Sequence, residues 1–452
     1  MTDADAPAPS PAADEVEVDV VVLGVGPGGE TVAGLAGKAG LDVVAVEENL
    51  VGGECPFYGC VPSKLMISGA RHAAEGAPDW AHVVRRIRED ATHDWSDGPF
   101  VERLEKHGGR VVRGRGRLVG PRRVRVGETT YVARRGVVLN VGTRPAVPPV
   151  DGLAGTPYWT NRDVVAITDL PASVVVVGGG PIGAELSQVF ARFGVTTTLV
   201  DVAERLLPKD EPEAATVLGD ALAADGVRLV LGQALERVSY TDGHFSVTVG
   251  AETLTSEKLL VAAGRTLQLD DLGLETVGVP TDGPLEVDDH LRVTAAADGG
   301  LWAVGDITGK GAFTHVSNYQ ARVAVRDLLG EDGPWADYRA VTRVTYTEPE
   351  VAAVGLTEQQ ARDAGLDVAV ATGDLGARGW LDEAAGVMKL VADTEAGVLV
   401  GATVAGPTAG EVLGLLAVAV HARTPIEVLR TMHFAYPTYH RAIETVLWRL
   451  PH

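Results

Sequence analysis

The sequence predicts an α/β protein containing two doubly wound, Rossmann-like nucleotide-binding units, and three observations carry that prediction. A short apolar strand runs straight into a glycine-rich turn and a small-residue helix within Asp19–Lys38; the same arrangement returns at Val174–Gly183; and after each, a further strand ends in a carboxylate. Glycines in this setting let the backbone turn tightly and approach a pyrophosphate lying on the helix N-terminus. With 452 residues, of which 46% are hydrophobic, the chain can build about three ordinary domain cores.

Taken in order, Met1–Asp19 is rich in Ala, Pro, Asp and Glu and has neither the basic start nor the apolar stretch of a signal peptide, so residues 1–15 are expected to be a disordered tail on a cytoplasmic protein. The net charge of −22 opposes binding to nucleic acid or an anionic membrane, which leaves small molecules as partners. The longest apolar run, Val412–Val420, falls well short of the roughly 20 residues of a bilayer span and reads as a buried helix.

The strand Asp19–Leu23 leads into Gly24-Val25-Gly26-Pro27-Gly28-Gly29, with Gly24, Gly26 and Gly29 as the cofactor-contacting glycines. A second strand, Asp42–Val46, ends in Glu47, twenty-three residues after Gly24, where a carboxylate accepts hydrogen bonds from an adenosine ribose.

Next comes Gly52–Lys64, which contains Cys55 and Cys60, the only two cysteines of the chain. A disulfide closing so short a loop would stabilise a fold of this size by only roughly 2 kcal/mol. Zinc usually needs four ligands, and there is no second cysteine pair. Pro62 suits the first helical position, so Cys60 is expected just ahead of a helix N-terminus, where partial positive charge favours the thiolate. That is the setting of a redox or nucleophilic cysteine, with no metal site expected. Helical segments near Met66–Glu75, Ala81–Ala91 and Phe100–His107 follow, and their scattered histidines read as surface residues.

After a strand-like run through Gly142 and a linker at Pro145–Pro149, the pattern restarts. Val174–Val177 precedes Gly178-Gly179-Gly180-Pro181-Ile182-Gly183, with Gly178, Gly180 and Gly183 in the cofactor-binding positions, and the next strand ends at Asp201. Two such units imply two dinucleotides, for which the natural pair is a bound flavin and a diffusing nicotinamide. Asp201 would bond a ribose 2′-hydroxyl and repel a 2′-phosphate, and none of the next three residues is an Arg, so NADH is favoured.

At this point the sequence resembles the class I pyridine nucleotide-disulfide oxidoreductases, the flavoenzymes that include dihydrolipoamide dehydrogenase and mercuric reductase. Cys55-x4-Cys60-x3-Lys64 is similar to the family's active-site sequence, Val261–Arg265 to its Gly-Arg return strand, Trp302–Asp306 to its second FAD motif and Thr347–Gly355 to the opening of its interface domain. The resemblance implies an FAD domain in two pieces, 16–150 and 266–338, an inserted NAD(H) domain at 151–265 and a C-terminal α+β dimerisation domain at 339–452. It also implies that FAD and NAD(H) are the cofactors, with Gly142, Gly264 and Asp306 among their contacts. Cys60 would be the charge-transfer thiol, Cys55 the interchange thiol, and Lys64 with Glu185 a buried ion pair near the flavin.

The departures carry information too. Where disulfide reductases of this family present a His and, five residues on, a Glu from the partner subunit, this sequence has Tyr436 and Arg441. His433 and His440 are offset by three or four residues and would point elsewhere. A tyrosine at this place is similar to mercuric reductases and soluble transhydrogenases, but the terminal cysteine pair of mercuric reductase is missing before Pro451-His452, and the cysteine pair that transhydrogenases generally lack is kept. The leading expectation is a homodimeric NAD(P)H oxidoreductase that delivers electrons through Cys55 and Cys60 to a small thiol, disulfide or soft-metal acceptor. The alternatives are a diaphorase that reduces quinones or dyes directly from flavin and a flavin-bound redox sensor.

Overall fold

The computed structural model describes residues 14–296 and 298–451. The expected tail therefore lies outside the described residues as far as Ala13, while Asp14 and Glu15 already belong to the first strand, Asp14–Leu23. The described chain divides into two compact units, 1–55 with 96–143 and 267–336, and 56–95 with 144–266 and 337–452. Residues 56–95, assigned from the sequence to the flavin-binding part, group with the second unit.

The first unit is built on a mainly parallel sheet. Gly109–Arg113, Val43–Glu47, Asp14–Leu23 and Thr129–Leu139 lie side by side, with Val20 opposite Val43 and Val21 opposite Val137. Besides Asp14–Leu23, Thr129–Leu139 is long enough to serve two more partners: its first part pairs antiparallel with Arg123–Val126, and its end pairs parallel with Leu301–Ala303. The central strand reads Val-Val-Val-Leu at its end because both faces are covered, with the helices Pro27–Lys38 and Thr314–Leu329 packed together on one side.

The second unit contains two sheets of different kinds. Arg228–Leu231, Thr196–Asp201, Ser173–Val177 and Lys258–Val261 form a parallel four-stranded sheet, the second nucleotide-binding unit, accompanied by a three-stranded antiparallel meander over 235–256. The C-terminal part is a five-stranded antiparallel sheet in the order Thr342–Thr345, Glu350–Gly355, Val398–Gly406, Val387–Asp393 and Val368–Asp374. The helix Ala409–His421 packs on it and buries Val412, Leu413, Leu416 and Val420, while Val418 of the predicted buried run is exposed.

A charged knot ties the two parts of this unit together. Lys389 is 5% exposed and its ammonium lies 3.0 Å from Glu211, 2.9 Å from Glu213 and 2.9 Å from Glu358. Burial works against its charge, but the hydrogen bonds to Glu358, Glu213 and Glu211 outweigh it and raise the Lys389 pKa. Hydrogen bonds from Lys389 and Arg362 conversely hold the Glu358 carboxyl below its ordinary range. A depressed carboxyl contributes stability above its unfolded pKa and loses it as the pH falls through the folded value. Lys389→Met should leave the buried Glu211 uncompensated and cost about 3–5 kcal/mol, read as a lower denaturation midpoint at pH 7. The deficit should shrink only as the pH falls below about 4, from the ordinary carboxyl value down through the depressed Glu358 value; an equal deficit at pH 7 and at about pH 3 would contradict this electrostatic origin.

Candidate functional site

The two glycine loops share one geometry. A Cβ on Gly24 or Gly178 would lie 2.5 or 2.4 Å from the carbonyl oxygen of Asn140 or Ala262, and one on Gly29 or Gly183 would meet the Gly24 or Gly178 carbonyl oxygen at 2.1 or 1.8 Å. The first and third glycines are therefore required by close backbone packing. A Cβ on the middle glycine meets only Asn140 Oδ1 at 3.2 Å in Gly26 and nothing within 4 Å in Gly180, which leaves the approach to each helix N-terminus open. Both helices, Pro27–Lys38 and Pro181–Arg192, start with a proline and without a side-chain cap, so amide N–H groups are left for an anion.

The carboxylates at the following strand ends hold these loops. Glu47 accepts from the Val25 and Asn49 amides, each at 2.7 Å, and burial pushes its pKa up against the pull of those donors. Asp201 takes the equivalent position, accepting from the Gly179 amide and, at 2.7 Å, from Ala203. Asp306 accepts from the Thr143 hydroxyl at 2.7 Å within the first unit. Gly142 and Gly264 have positive φ, and their carbonyls accept from the Gln268 and Ala146 amides respectively. Open glycine turns, uncapped helix starts and two oriented carboxylates are the donor and acceptor set that two dinucleotides require.

Sequence reasoning missed Asn140. It is 7% exposed, its side-chain Oδ1 accepts from the Gly29 amide at 2.7 Å, and its side-chain Nδ2 donates to Val304 O at 2.9 Å and to the Ser317 hydroxyl at 3.3 Å. It thus pins the first glycine loop to the segment that carries Asp306. The available signal was a lone polar residue immediately after the apolar strand end Val137-Val138-Leu139.

The cysteine region departs from expectation in one detail. The helix begins at Cys60 itself and runs to Ala74, so Cys60 rather than Pro62 is the first helical residue. Pro62 is tolerated two residues later because the first-turn amides have no intrahelical acceptor. Cys60 is exposed and Cys55 is half-buried in the short helix Glu54–Phe57. Along the Cys60–Ala74 helix, Pro62, Met66, Ile67 and Ala70 face the core, where Met66, Ile67 and Ala70 pack with Leu186, Val189 and Phe190 of the second glycine helix. Cys60, Lys64 and Arg71 follow a separate stripe, because offsets of four and eleven residues return to one helix face.

That stripe carries the expected ion pair. Lys64 Nζ lies 2.9 Å from Glu185 Oε2, with the Glu185 side chain 6% exposed and that of Lys64 34% exposed. The other Glu185 oxygen accepts from the Tyr346 amide at 2.9 Å, and Lys64 Nζ also sits 4.6 Å from the centre of the Tyr346 ring. Seven residues along, Arg71 pairs with Glu348 at 2.9 Å and Glu350 at 3.3 Å, and Glu348 is shared with Arg192 of the second glycine helix. Tyr436 stands apart: it is 71% exposed, and among the described residues no hydrogen bond, ion pair or ring contact joins it to this cluster. His440 lies 3.4 Å from the Thr438 hydroxyl, and Arg441 pairs with Glu444.

Comparison with known proteins agrees with this geometry. The family model described as pyridine nucleotide-disulphide oxidoreductase matches residues 18–324, and the one for that family's dimerisation domain matches residues 341–447. The chain is 34% identical over 446 residues to a dihydrolipoyl dehydrogenase of Halobacterium salinarum, covering 93% of both chains. It is 30% identical to a mercuric reductase of Bacillus cereus, covering 92% of this chain and 69% of that one. Among solved structures, a Cu(II) complex of the HOCl-induced flavoprotein disulfide reductase RclA from Escherichia coli superposes with a TM-score of 0.85 at 26% identity, covering 96% of this chain and 99% of that one. With both matched regions in order and the glycine loops, carboxylates and thiol helix formed as described, the chain belongs to the pyridine nucleotide-disulphide oxidoreductase family, as an FAD-containing, NAD(P)H-using flavoprotein disulfide reductase.

Proposed function

We propose that the protein oxidises NADH and passes the two electrons through FAD to a Cys55–Cys60 disulfide, and from the resulting thiols to a small disulfide or a soft-metal ion. NADH gives up a hydride to become NAD⁺; the disulfide takes two electrons and one proton as its S–S bond breaks, leaving the Cys55 thiol and the Cys60 thiolate. When bound, FAD supplies the two-electron relay between them. The observation that carries this reading is the placing of Cys60 at the first residue of a helix with Lys64 one turn on, so that the helix N-terminus and a lysine both favour the thiolate form.

Each other residue has a definite task in this scheme. Gly24, Gly26, Gly29, Glu47, Gly142 and Asp306 bind the flavin, while Gly178, Gly180, Gly183, Asp201 and Gly264 bind the nicotinamide. Glu185 compensates Lys64, since an unpaired charge there would be costly. Cys55 exchanges with the acceptor. Relatives named as mercuric reductase and a solved structure described as a Cu(II) complex support a metal ion as one acceptor class. The dimerisation-domain match supports a homodimer. Among the described residues no helix is long and apolar enough to cross a membrane, and a reducing cytoplasm suits a thiol pair that cycles.

A second reading, direct reduction of quinones or dyes from flavin, is favoured by Tyr436 and Arg441 at the places of the family's His and Glu. Proton transfer by a positioned side chain is worth about 10²–10⁴-fold in rate. Lipoamide and glutathione disulfide should accordingly be slow acceptors, with metal ions and quinones faster. Tyr436 is proposed as a neutral hydrogen-bond donor to the acceptor or thiolate. Assaying lipoamide, glutathione disulfide, Hg(II), Cu(II) and a quinone with NADH, in wild type and Tyr436→Phe, checks this; efficient lipoamide turnover would overturn it.

Two further outcomes are expected. Anaerobic NADH titration should show uptake of four electrons per chain, falling to two in both Cys55→Ser and Cys60→Ser, and a two-electron wild type would favour the direct-flavin reading. NADH should exceed NADPH in kcat/KM by roughly 10- to 100-fold, because a 2′-phosphate against the Asp201 carboxylate loses a hydrogen bond and meets a like charge, worth about 1–3 kcal/mol. A preference for NADPH would remove Asp201 from this role.

A further inference from the structure

Tyr346 lies between the strands Thr342–Thr345 and Glu350–Gly355 and touches both members of the Lys64–Glu185 pair. Its backbone N–H donates to Glu185 Oε1 at 2.9 Å, and the centre of its ring lies 4.6 Å from the Lys64 ammonium, whose other contacts are Glu185 Oε2 at 2.9 Å and the Ser63 hydroxyl at 3.3 Å. One residue thus holds the carboxylate through its main chain and the cation through its aromatic face. Cys60 stands one helical turn before Lys64, on the same face of its helix.

We propose that Tyr346 is a positioning residue for the thiol: its ring holds the Lys64 ammonium on the helix face toward Cys60, and thereby sets how much of Cys60 is thiolate. This deepens the function proposed above and rests on its assignment of Cys60 as the redox thiol. The charged and titratable groups around the cluster make the sign definite. Cys60, Lys64 and Arg71 come from the thiol helix, Glu185 from the second glycine helix, and Glu348 and Glu350 from the segment opening the interface sheet, with Arg71 paired to the last two. Lys64 is the cation one turn from the thiol along the stripe, so a lysine released toward solvent withdraws its positive charge from that face and disfavours the thiolate. The phenol of Tyr346 registers the same neighbours. Burial raises its pKa, Lys64 pulls it down, and Glu185, Glu350 and Cys60 push it up, for a net rise. The hydroxyl therefore stays protonated at neutral pH, and the ring rather than the phenol charge acts on Lys64.

The test uses the FAD-loaded Cys55→Ser protein, in which Cys60 is the only cysteine left of the two in the chain. The pH dependence of its alkylation by iodoacetamide reads the thiolate fraction without turnover. A cation over an aromatic face is held there by the ring, so Tyr346→Leu should raise the midpoint by about half to one pH unit and slow alkylation at pH 7 roughly three- to tenfold. Tyr346→Phe keeps the ring and should stay within about 0.3 unit of the parent, less than the leucine variant. Tyr346→Trp, with the strongest cation-binding face, should lower the midpoint and keeps the test open if the leucine variant does not fold. An unchanged midpoint in a folded, FAD-loaded Tyr346→Leu protein overturns the proposal, as does a phenylalanine variant that shifts as far as leucine or a tryptophan variant that shifts upward. A parent midpoint at the ordinary thiol value of about 8.5 would instead overturn the assignment of Cys60 as the activated thiol.

Discussion

The arrangement of the second unit depends on one ion pair, Lys64 with Glu185. Glu185 is in the middle of a helix that is otherwise buried along nearly its whole length, and a carboxylate 5% exposed is tolerated there only because both its oxygens are occupied, one by Lys64 and the other by the Tyr346 amide. The pair also fixes the rotation of the thiol helix. With Met66, Ile67 and Ala70 committed to the apolar face and Lys64 to Glu185, Cys60 has one direction left, and that direction is exposed. The redox role proposed for Cys60 calls for this combination of a rigid base and an accessible sulfur. Gly69 makes the close packing possible: a Cβ there would lie 2.3 Å from Val83 Cγ2.

A second clasp repeats the logic farther along the helix. Arg71 and Arg192, from the two packed helices, converge on Glu348, and Gln188 bonds both the backbone N–H and the C=O of the same residue. Exposed ion pairs are worth little singly. Arg192, however, has a side chain only 11% exposed and also pairs with Asp225, so this network is partly shielded and orders the residues that follow Tyr346. The thiol helix, the second glycine helix and the opening of the interface sheet are therefore one electrostatic assembly within the unit.

Much of this was legible in the sequence because it depends on local spacing. Glycine positions within a turn, an acid at a strand end, a cysteine four residues before a lysine and an apolar period of two or three to four residues are all short-range signals, and the glycine loops, Glu47, Asp201, the pairing of Lys64 with Glu185 and the parallel sheets followed from them or from the resemblance they supported. What escaped depends on tertiary placement. Asn140 follows an apolar strand and Tyr346 a mostly polar one, and neither belongs to a pattern, yet each joins segments far apart in the chain: Asn140 meets Gly29 and Val304, and Tyr346 meets Lys64 and Glu185. The Lys389 knot escaped for the same reason, since its carboxylates come from Glu211, Glu213 and Glu358. The start of the thiol helix was misplaced by two residues because proline is acceptable anywhere in the first turn, and its presence alone cannot distinguish the first position from the third.

The remaining step of synthesis concerns how a reductase can work with Tyr436 and Arg441 where relatives have a His and a Glu. That dyad handles the protons of the thiol that meets the acceptor, a need that arises when the leaving group is itself a thiolate of high pKa. An acceptor that departs without requiring a proton relaxes the need, and a metal ion taking electrons or thiolate ligands is such an acceptor. What the chain retains is the machinery at the other sulfur: a helix N-terminus, a lysine held by a carboxylate, and an aromatic ring against that lysine. In the proposed scheme all three favour charge on Cys60 and none delivers a proton, since Lys64 is paired with its carboxylate and the Tyr346 phenol is pushed toward its neutral form. On the function proposed above, these residues keep a thiolate, and thiolate is the form that soft metal ions and disulfide exchange both require.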